Sequence, residues 1–223
     1  MIQIILSQLS KRIITGLILL VCVFFFIFYA SPFIFFVALA GCGFVILKYE
    51  LPQLASSRFQ FLSLALAYII LPFLLSLHLY SDPRYRILLL IVICITSSND
   101  IGAYFAGTFL GKHTIAPSIS PKKTWEGFLG GMFAVMVALI LISHVWLHRD
   151  LSFSFIMYFS FAIAVIATTG DFFESWLKRR AGIKDSGTIL PGHGGLLDRC
   201  DSLIFVIIIC YALKDSLLRV FLK

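Results

Sequence analysis

The feature that most constrains this chain is a series of apolar runs, each about as long as a helix that crosses a bilayer, roughly 20 residues. They start near Ile13, Pro32, Phe59, Ile87, Thr124, Ser152 and Ser202, with short polar intervals between them. A very apolar soluble core would not repeat at this length. Composition agrees: 60% of residues are hydrophobic and only 13% charged, whereas about a quarter are charged in a soluble domain. The mean hydropathy is +1.00. The fold class expected is therefore all-α, a polytopic membrane bundle of about seven transmembrane helices, or eight, with a polar cavity opening to the cytoplasm.

Residues 13–28 and 32–47 read as a helical hairpin joined at Tyr29, Ala30 and Ser31. The first run follows Lys11 and Arg12 and lacks a small-residue cleavage site, so it reads as a retained span rather than a signal peptide. Residues 1–58 form an expected N-terminal hairpin region and 59–223 a C-terminal region that carries the polar clusters described below. Between them lies a polar interval with Lys48, Glu50, Pro52, Ser56, Ser57 and Arg58. Pro72, inside the third run, should kink it because proline removes a backbone donor. The five Cys show no C-x-x-C spacing, so neither a disulfide framework nor a zinc site is indicated. A net charge of +7 suits anionic lipid headgroups or an anionic substrate, and no nucleic-acid module competes for it.

Three polar groups interrupt the apolar pattern. Ser97, Ser98, Asn99 and Asp100 fall midway through the fourth run, where an ionisable group is costly and faces a cavity or a partner. Gly102, Ala103, Ala106 and Gly107 follow at helical spacing and would let another helix pack closely. Next, Pro117 and Pro121 break any helix, and a new one begins near Thr124. Lys122 and Lys123 then stand at a helix entrance suited to an anion, or simply snorkel at a membrane edge.

The densest group is residues 175–202, SWLKRRAGIKDSGTILPGHGGLLDRCDS, with Asp171 and Glu174 just before it. Asp171 and Glu174 are three apart, and so are Asp198 and Asp201. Two such acid pairs could hold a hard divalent cation such as Mg²⁺ through oxygen ligands. Lys178, Arg179, Arg180, Lys184 and Arg199 would neutralise phosphate oxygens. Glycines 192, 194 and 195 would admit a ligand close to the backbone, with His193 the weakest member of the group. These acids and bases could instead pair with one another at the membrane edge. With the N-terminus in the cytoplasm, most Lys and Arg residues and all three polar groups fall on the cytoplasmic side. That places the chain in the cytoplasmic (inner) membrane with its site facing the cytoplasm.

The stretch from Ser175 to Asp201 resembles the signature of phosphatidate cytidylyltransferases, or CDP-diacylglycerol synthases, at Ser175, Lys178, Arg179, Lys184, Asp185, Gly187, Leu190, Pro191, His193, Gly194, Gly195, Asp198, Arg199 and Asp201. Asp100 with Gly102, Ala103, Tyr104 and Gly107, and the Ser-Pro-Lys-Lys-Thr-x-Glu-Gly run at 120–127, are similar to the same family. Cys200 departs mildly from it. The resemblance implies transfer of a cytidylyl group from CTP to phosphatidic acid, releasing pyrophosphate, with Mg²⁺ required and room for a second, monovalent or divalent cation.

On that basis Asp171, Asp198 and Asp201 are expected metal ligands, with Glu174 behind them or at a second metal. Lys178, Arg179, Lys184 and Arg199 would hold the triphosphate or pyrophosphate, and His193, Gly194 and Gly195 would lie against substrate. Asn99 and Asp100 would line the cavity, while Lys122 and Lys123 would receive the lipid phosphate or the nucleotide. The lipid bilayer is an expected partner and a homodimer an open one. The alternatives are a CTP-dependent polyprenol kinase and a small-solute transporter, the latter suggested by Asn99, Asp100 and the proline-broken third run.

Overall fold

The computed structural model describes residues 21, 25–26, 28–187, 189 and 194–222. The first expected span, 13–28, falls almost wholly outside the described residues. Five described helices are long and apolar enough to cross a membrane: α1 (Pro32–Leu54), α2 (Arg58–Ser81), α3 (Pro83–Phe109), α4 (Trp125–Trp146) and α5 (Phe153–Arg180). Two shorter helices follow, α6 (Asp201–Ala212) and α7 (Lys214–Leu222). Strands β1 (Thr114–Ala116) and β2 (Ser120–Thr124) pair antiparallel between α3 and α4. This is an all-α polytopic membrane protein carrying one small hairpin among its described residues.

Each long helix starts where the sequence supplies a side-chain acceptor for an otherwise unpaired amide of the first turn. Ser31 accepts from the Ile34 amide and is followed by Pro32. Ser57 accepts from Gln60, Asp82 from Arg84, Thr124 from Gly127 and Ser152 from Phe155. Such caps matter in a helix that crosses a bilayer, because the hydrocarbon core holds no water to satisfy a free amide. Phe33, Phe59, Phe109, Phe133 and Phe153 project from these helices exposed, as lipid-facing side chains do.

Pro52 and Pro72 leave the same local mark. Each is preceded by a π-helical turn, Ile46–Glu50 before Pro52 and Ala65–Ile70 before Pro72, and the residue after each turn bonds five positions back: Leu51 to Ile46 and Leu71 to Leu66. A proline ring clashes with the carbonyl four residues earlier, and widening the turn relieves the clash. The sequence treats residues 48–58 as a polar interval between spans, but the helix continues through Glu50 to Leu54. Glu50 is fully buried.

The chain divides into two compact units. The first runs to Leu77 and includes Leu177–Cys200; the second comprises His78–Trp176 and Asp201–Lys223. In the first unit, Gly43 of α1 lies against the Phe73 ring of α2, where a Cβ would stand 3.3 Å from it. In the second, α3 and α4 meet along the small-residue seam expected from the sequence. A Cβ at Gly102 would lie 2.5 Å from the Gly130 carbonyl, and one at Gly131 would lie 2.6 Å from Asn99 Oδ1. No side chain larger than hydrogen fits there without a shift. The expected last span, 202–219, is not continuous: the helix breaks at Leu213, leaving α6 with 12 residues.

Candidate active site

In the second unit, four carboxylate side chains gather from three helices: Asp100 within α3, Asp171 and Glu174 within α5, and Asp201 at the start of α6. Asn99 Nδ2 donates to Asp100 Oδ1 at 3.3 Å, and Ser202 Oγ donates to Asp100 Oδ2 at 3.1 Å, tying α3 to the start of α6. On α5, Gly170 touches the α6 backbone so closely that a Cβ would stand 2.6 Å from the Asp201 carbonyl oxygen. That approach brings the Asp171 carboxyl within hydrogen-bonding reach of Asp201, and Asp201 within reach of Glu174. Asp171 also pairs with the Lys123 ammonium, which lies over the Phe172 ring 5.4 Å from its centre. Glu174 is buried, Asp171 and Asp201 half-buried, and Asp100 exposed.

Lys122 and Lys123, treated alike in the sequence, are separated by the structure. Both lie on β2 rather than in a helix, and successive strand residues point to opposite faces. Lys123 is half-buried against Asp171, whereas Lys122 is exposed. Glu126 of the same run closes the hairpin, its Oε2 accepting from the Lys112 and His113 amides at 3.1 and 3.2 Å. The hairpin had no periodic signal, because two strands of three and five residues are too short to show alternation.

In the first unit, α5 ends in a Schellman turn at Gly182. Ile183 N–H returns to the Lys178 carbonyl and Gly182 N–H to that of Arg179, with Gly182 at φ +71°. The turn sends the chain back as the signature loop. Asp198 organises its far limb: the carboxylate accepts from Lys178 Nζ at 2.8 Å, from Gly195 N–H at 2.8 Å and from Ser186 N–H at 3.1 Å. Gly194, at φ +82°, lies so close that a Cβ would stand 2.7 Å from Asp198 Oδ2. Arg179 donates to the Ile183 carbonyl, while Lys184 and Arg199 are exposed. His193 lies outside the described residues.

Sequence reasoning missed Glu50 and Ser186. Glu50 Oε1 accepts from the Leu196 amide at 2.7 Å, and Oε2 accepts from Leu197 N–H at 2.8 Å and Ser186 Oγ at 3.1 Å. The available signal was a carboxylate just before Pro52, at the end of an apolar run. It read as polar because its donors lie more than 130 positions away.

The sequence-expected site residues thus fall into two sets. Asn99, Asp100, Lys123, Asp171, Glu174 and Asp201 converge in the second unit. Lys178, Arg179, Lys184, Gly194, Gly195, Asp198 and Arg199 belong to the helix end and loop of the first. Among the described residues, no three His, Cys, Asp or Glu side chains are grouped as a metal cage. Mg²⁺ does not require one, since it binds through one or two protein carboxylates and keeps its other positions for water and phosphate. The neighbouring Asp171 and Asp201 carboxyls fit that demand.

A sequence profile of the cytidylyltransferase family matches residues 52–217. A phosphatidate cytidylyltransferase of Rickettsia bellii is 35% identical over 204 residues, covering 89% of this chain and 87% of that protein. One from Staphylococcus epidermidis is 37% identical over 176 residues, covering 76% of this chain. The matched region is 65% of that relative's own length. One from Helicobacter pylori is 50% identical over 116 residues, 51% of this chain and 42% of its own. With a profile match over most of its length and a relative this similar along nearly all of both chains, the protein belongs to the cytidylyltransferase family.

Proposed function

We propose that the protein transfers the cytidylyl group of CTP to phosphatidic acid, giving CDP-diacylglycerol and pyrophosphate, at the cytoplasmic face of the inner membrane. The observation that most supports this reading is the convergence of Asp171 and Glu174 of α5, Asp201 at the start of α6 and Lys123 of β2 in a membrane-spanning body. A purely apolar bundle has no use for so many ionisable groups there. The attacking lipid phosphate is largely anionic near pH 7, its second pKa being about 6, so no strong general base is needed. The obstacle is bringing one anion to the α-phosphorus of another, which positioning and charge neutralisation overcome.

Bound to Asp171 and Asp201, with Glu174 behind them, Mg²⁺ would supply positive charge and hold phosphate oxygens. Lys123 orients Asp171 and places a second positive charge beside it. Exposed Lys122 is suited to a lipid phosphate. Lys184, Arg199 and Arg179 are assigned to nucleotide phosphates, joined by Lys178 when it exchanges Asp198 for phosphate. That exchange would make an Asp198 oxygen available to a cation, in keeping with the role expected from its spacing.

The test is chromatographic analysis of lipids after purified protein is incubated with CTP, phosphatidic acid and Mg²⁺. The expected products are CDP-diacylglycerol and pyrophosphate, with pyrophosphate released only when phosphatidic acid is present. Release of CDP with phosphorylation of a lipid alcohol would overturn the reading in favour of a kinase.

A further inference from the structure

We propose that Glu50 is a positioning residue that anchors the signature loop, setting the backbone from which Asp198 and Arg199 project. This inference rests on the functional reading above for its consequence in catalysis, and on geometry alone for the anchoring itself.

Glu50 is fully buried, and its three contacts all use the carboxylate as acceptor. They reach both limbs of the loop: Ser186 on one, and the consecutive amides of Leu196 and Leu197 on the other. Two adjacent amides held by one carboxylate leave little freedom at Leu197, and the next residue is Asp198. Asp198 in turn clasps the Ser186 and Gly195 amides, so the two carboxylates secure the same loop through different donors.

The glycines carry the second, independent observation. A Cβ at Gly195 would stand 2.1 Å from Ser186 Oγ and 2.9 Å from Glu50 Oε2; one at Gly187 would stand 3.1 Å from Glu50 Oε1. Gly195 of the Gly-His-Gly-Gly run thus makes room for the Glu50 carboxylate, whatever it does for substrate. Glu50 itself is presented by the π turn before Pro52, a distortion that often marks functional positions. It lies just outside the family match, which begins at residue 52.

The test compares wild type with Glu50→Gln and Glu50→Asp in the full chain, in detergent. Amide hydrogen exchange is followed by mass spectrometry in peptides covering 194–200 and, as a reference, α4. In Glu50→Gln the side chain keeps its size but turns an NH₂ toward backbone donors. Exchange in 194–200 should then rise roughly tenfold while α4 is unchanged, and the KM for CTP should rise by roughly tenfold with that for phosphatidic acid within about twofold. Glu50→Asp, which restores a shorter carboxylate, should recover part of both changes. Unaltered exchange at 194–200, exchange raised equally in α4, or an unaltered KM for CTP would overturn the proposal. If wild type makes no CDP-diacylglycerol, the functional reading fails, and the exchange measurements still decide whether Glu50 anchors the loop.

Discussion

Gly170→Ala probes the contact on which the Asp171–Asp201 pairing depends. The added Cβ would stand 2.6 Å from the Asp201 carbonyl oxygen and 3.1 Å from both Phe205 Cδ2 and Ser202 Cα, where ordinary contact begins at 3.4 Å. Two of those three atoms are backbone, so a rotamer change cannot relieve them. The start of α6 must retreat by about 0.8 Å, an overpacking that costs about 1–3 kcal/mol in a well-packed interior. A displacement near 1 Å in a reacting group lowers rates by about 100-fold. We therefore expect CDP-diacylglycerol formation to fall by about 10- to 100-fold, with a detectable loss of thermal stability in the same detergent. Gly41→Ala is the control, because nothing lies within 4 Å of its Cβ position. Activity within twofold of wild type for Gly170→Ala would refute the reasoning. A loss of stability without a loss of activity would show that the placement of Asp201 is not limiting.

Gly131→Ala would drive a methyl to within 2.6 Å of Asn99 Oδ1 and part the α3–α4 seam; a stability loss of about 1–3 kcal/mol is expected by detergent unfolding. Gly182→Ala has open space around it but sits at φ +71°, so it should cost about 1–2 kcal/mol through backbone strain alone and loosen the turn into the signature loop, measurable as faster exchange at Ile183. Asp82 lies between α2 and α3, and its bonds to Arg84 hold its carboxyl down to about 2 from an ordinary 3.8. A depressed carboxyl stabilises the fold above its unfolded pKa and loses that contribution as pH falls through the folded one. Asp82→Asn should therefore flatten the acid limb of the stability curve between about pH 4 and pH 2, followed by thermal unfolding across that range.

Much of the fold was legible because a bilayer imposes length and apolarity on any helix that crosses it. The runs beginning near Pro32, Phe59, Ile87, Thr124 and Ser152 all became long helices, and their capping residues Ser31, Ser57, Asp82, Thr124 and Ser152 stand in plain view. What misled was polarity read locally. Lys48, Glu50 and Arg58 suggested an interval between spans, yet α1 runs to Leu54. Conversely, the apolar run from Ser202 is interrupted at Leu213, and α7 carries Lys214, Asp215 and Arg219 on its own short length. Hydropathy alone averages over that change.

The candidate site was legible as residue types but not as partnerships. Spacing put Asp171 beside Glu174 because residues three apart are neighbours on one helix face. It had no means of reaching Lys123, 48 positions earlier, or of separating Lys123 from Lys122, since that depends on a strand too short to show its period. The glycines are where the two levels join. Gly170 brings Asp171 to Asp201; Gly195 makes room for Glu50; Gly131 admits Asn99. In each case a carboxylate or amide in a membrane-spanning body reaches its partner because a neighbouring residue has no side chain to prevent it. Close backbone approach is what helix pairs in lipid use for cohesion, and in this chain the same device sets the distances between polar groups. Substituting the glycines should therefore disturb the chemistry as directly as substituting the acids, and that separates this account from one in which the charged residues alone define the site.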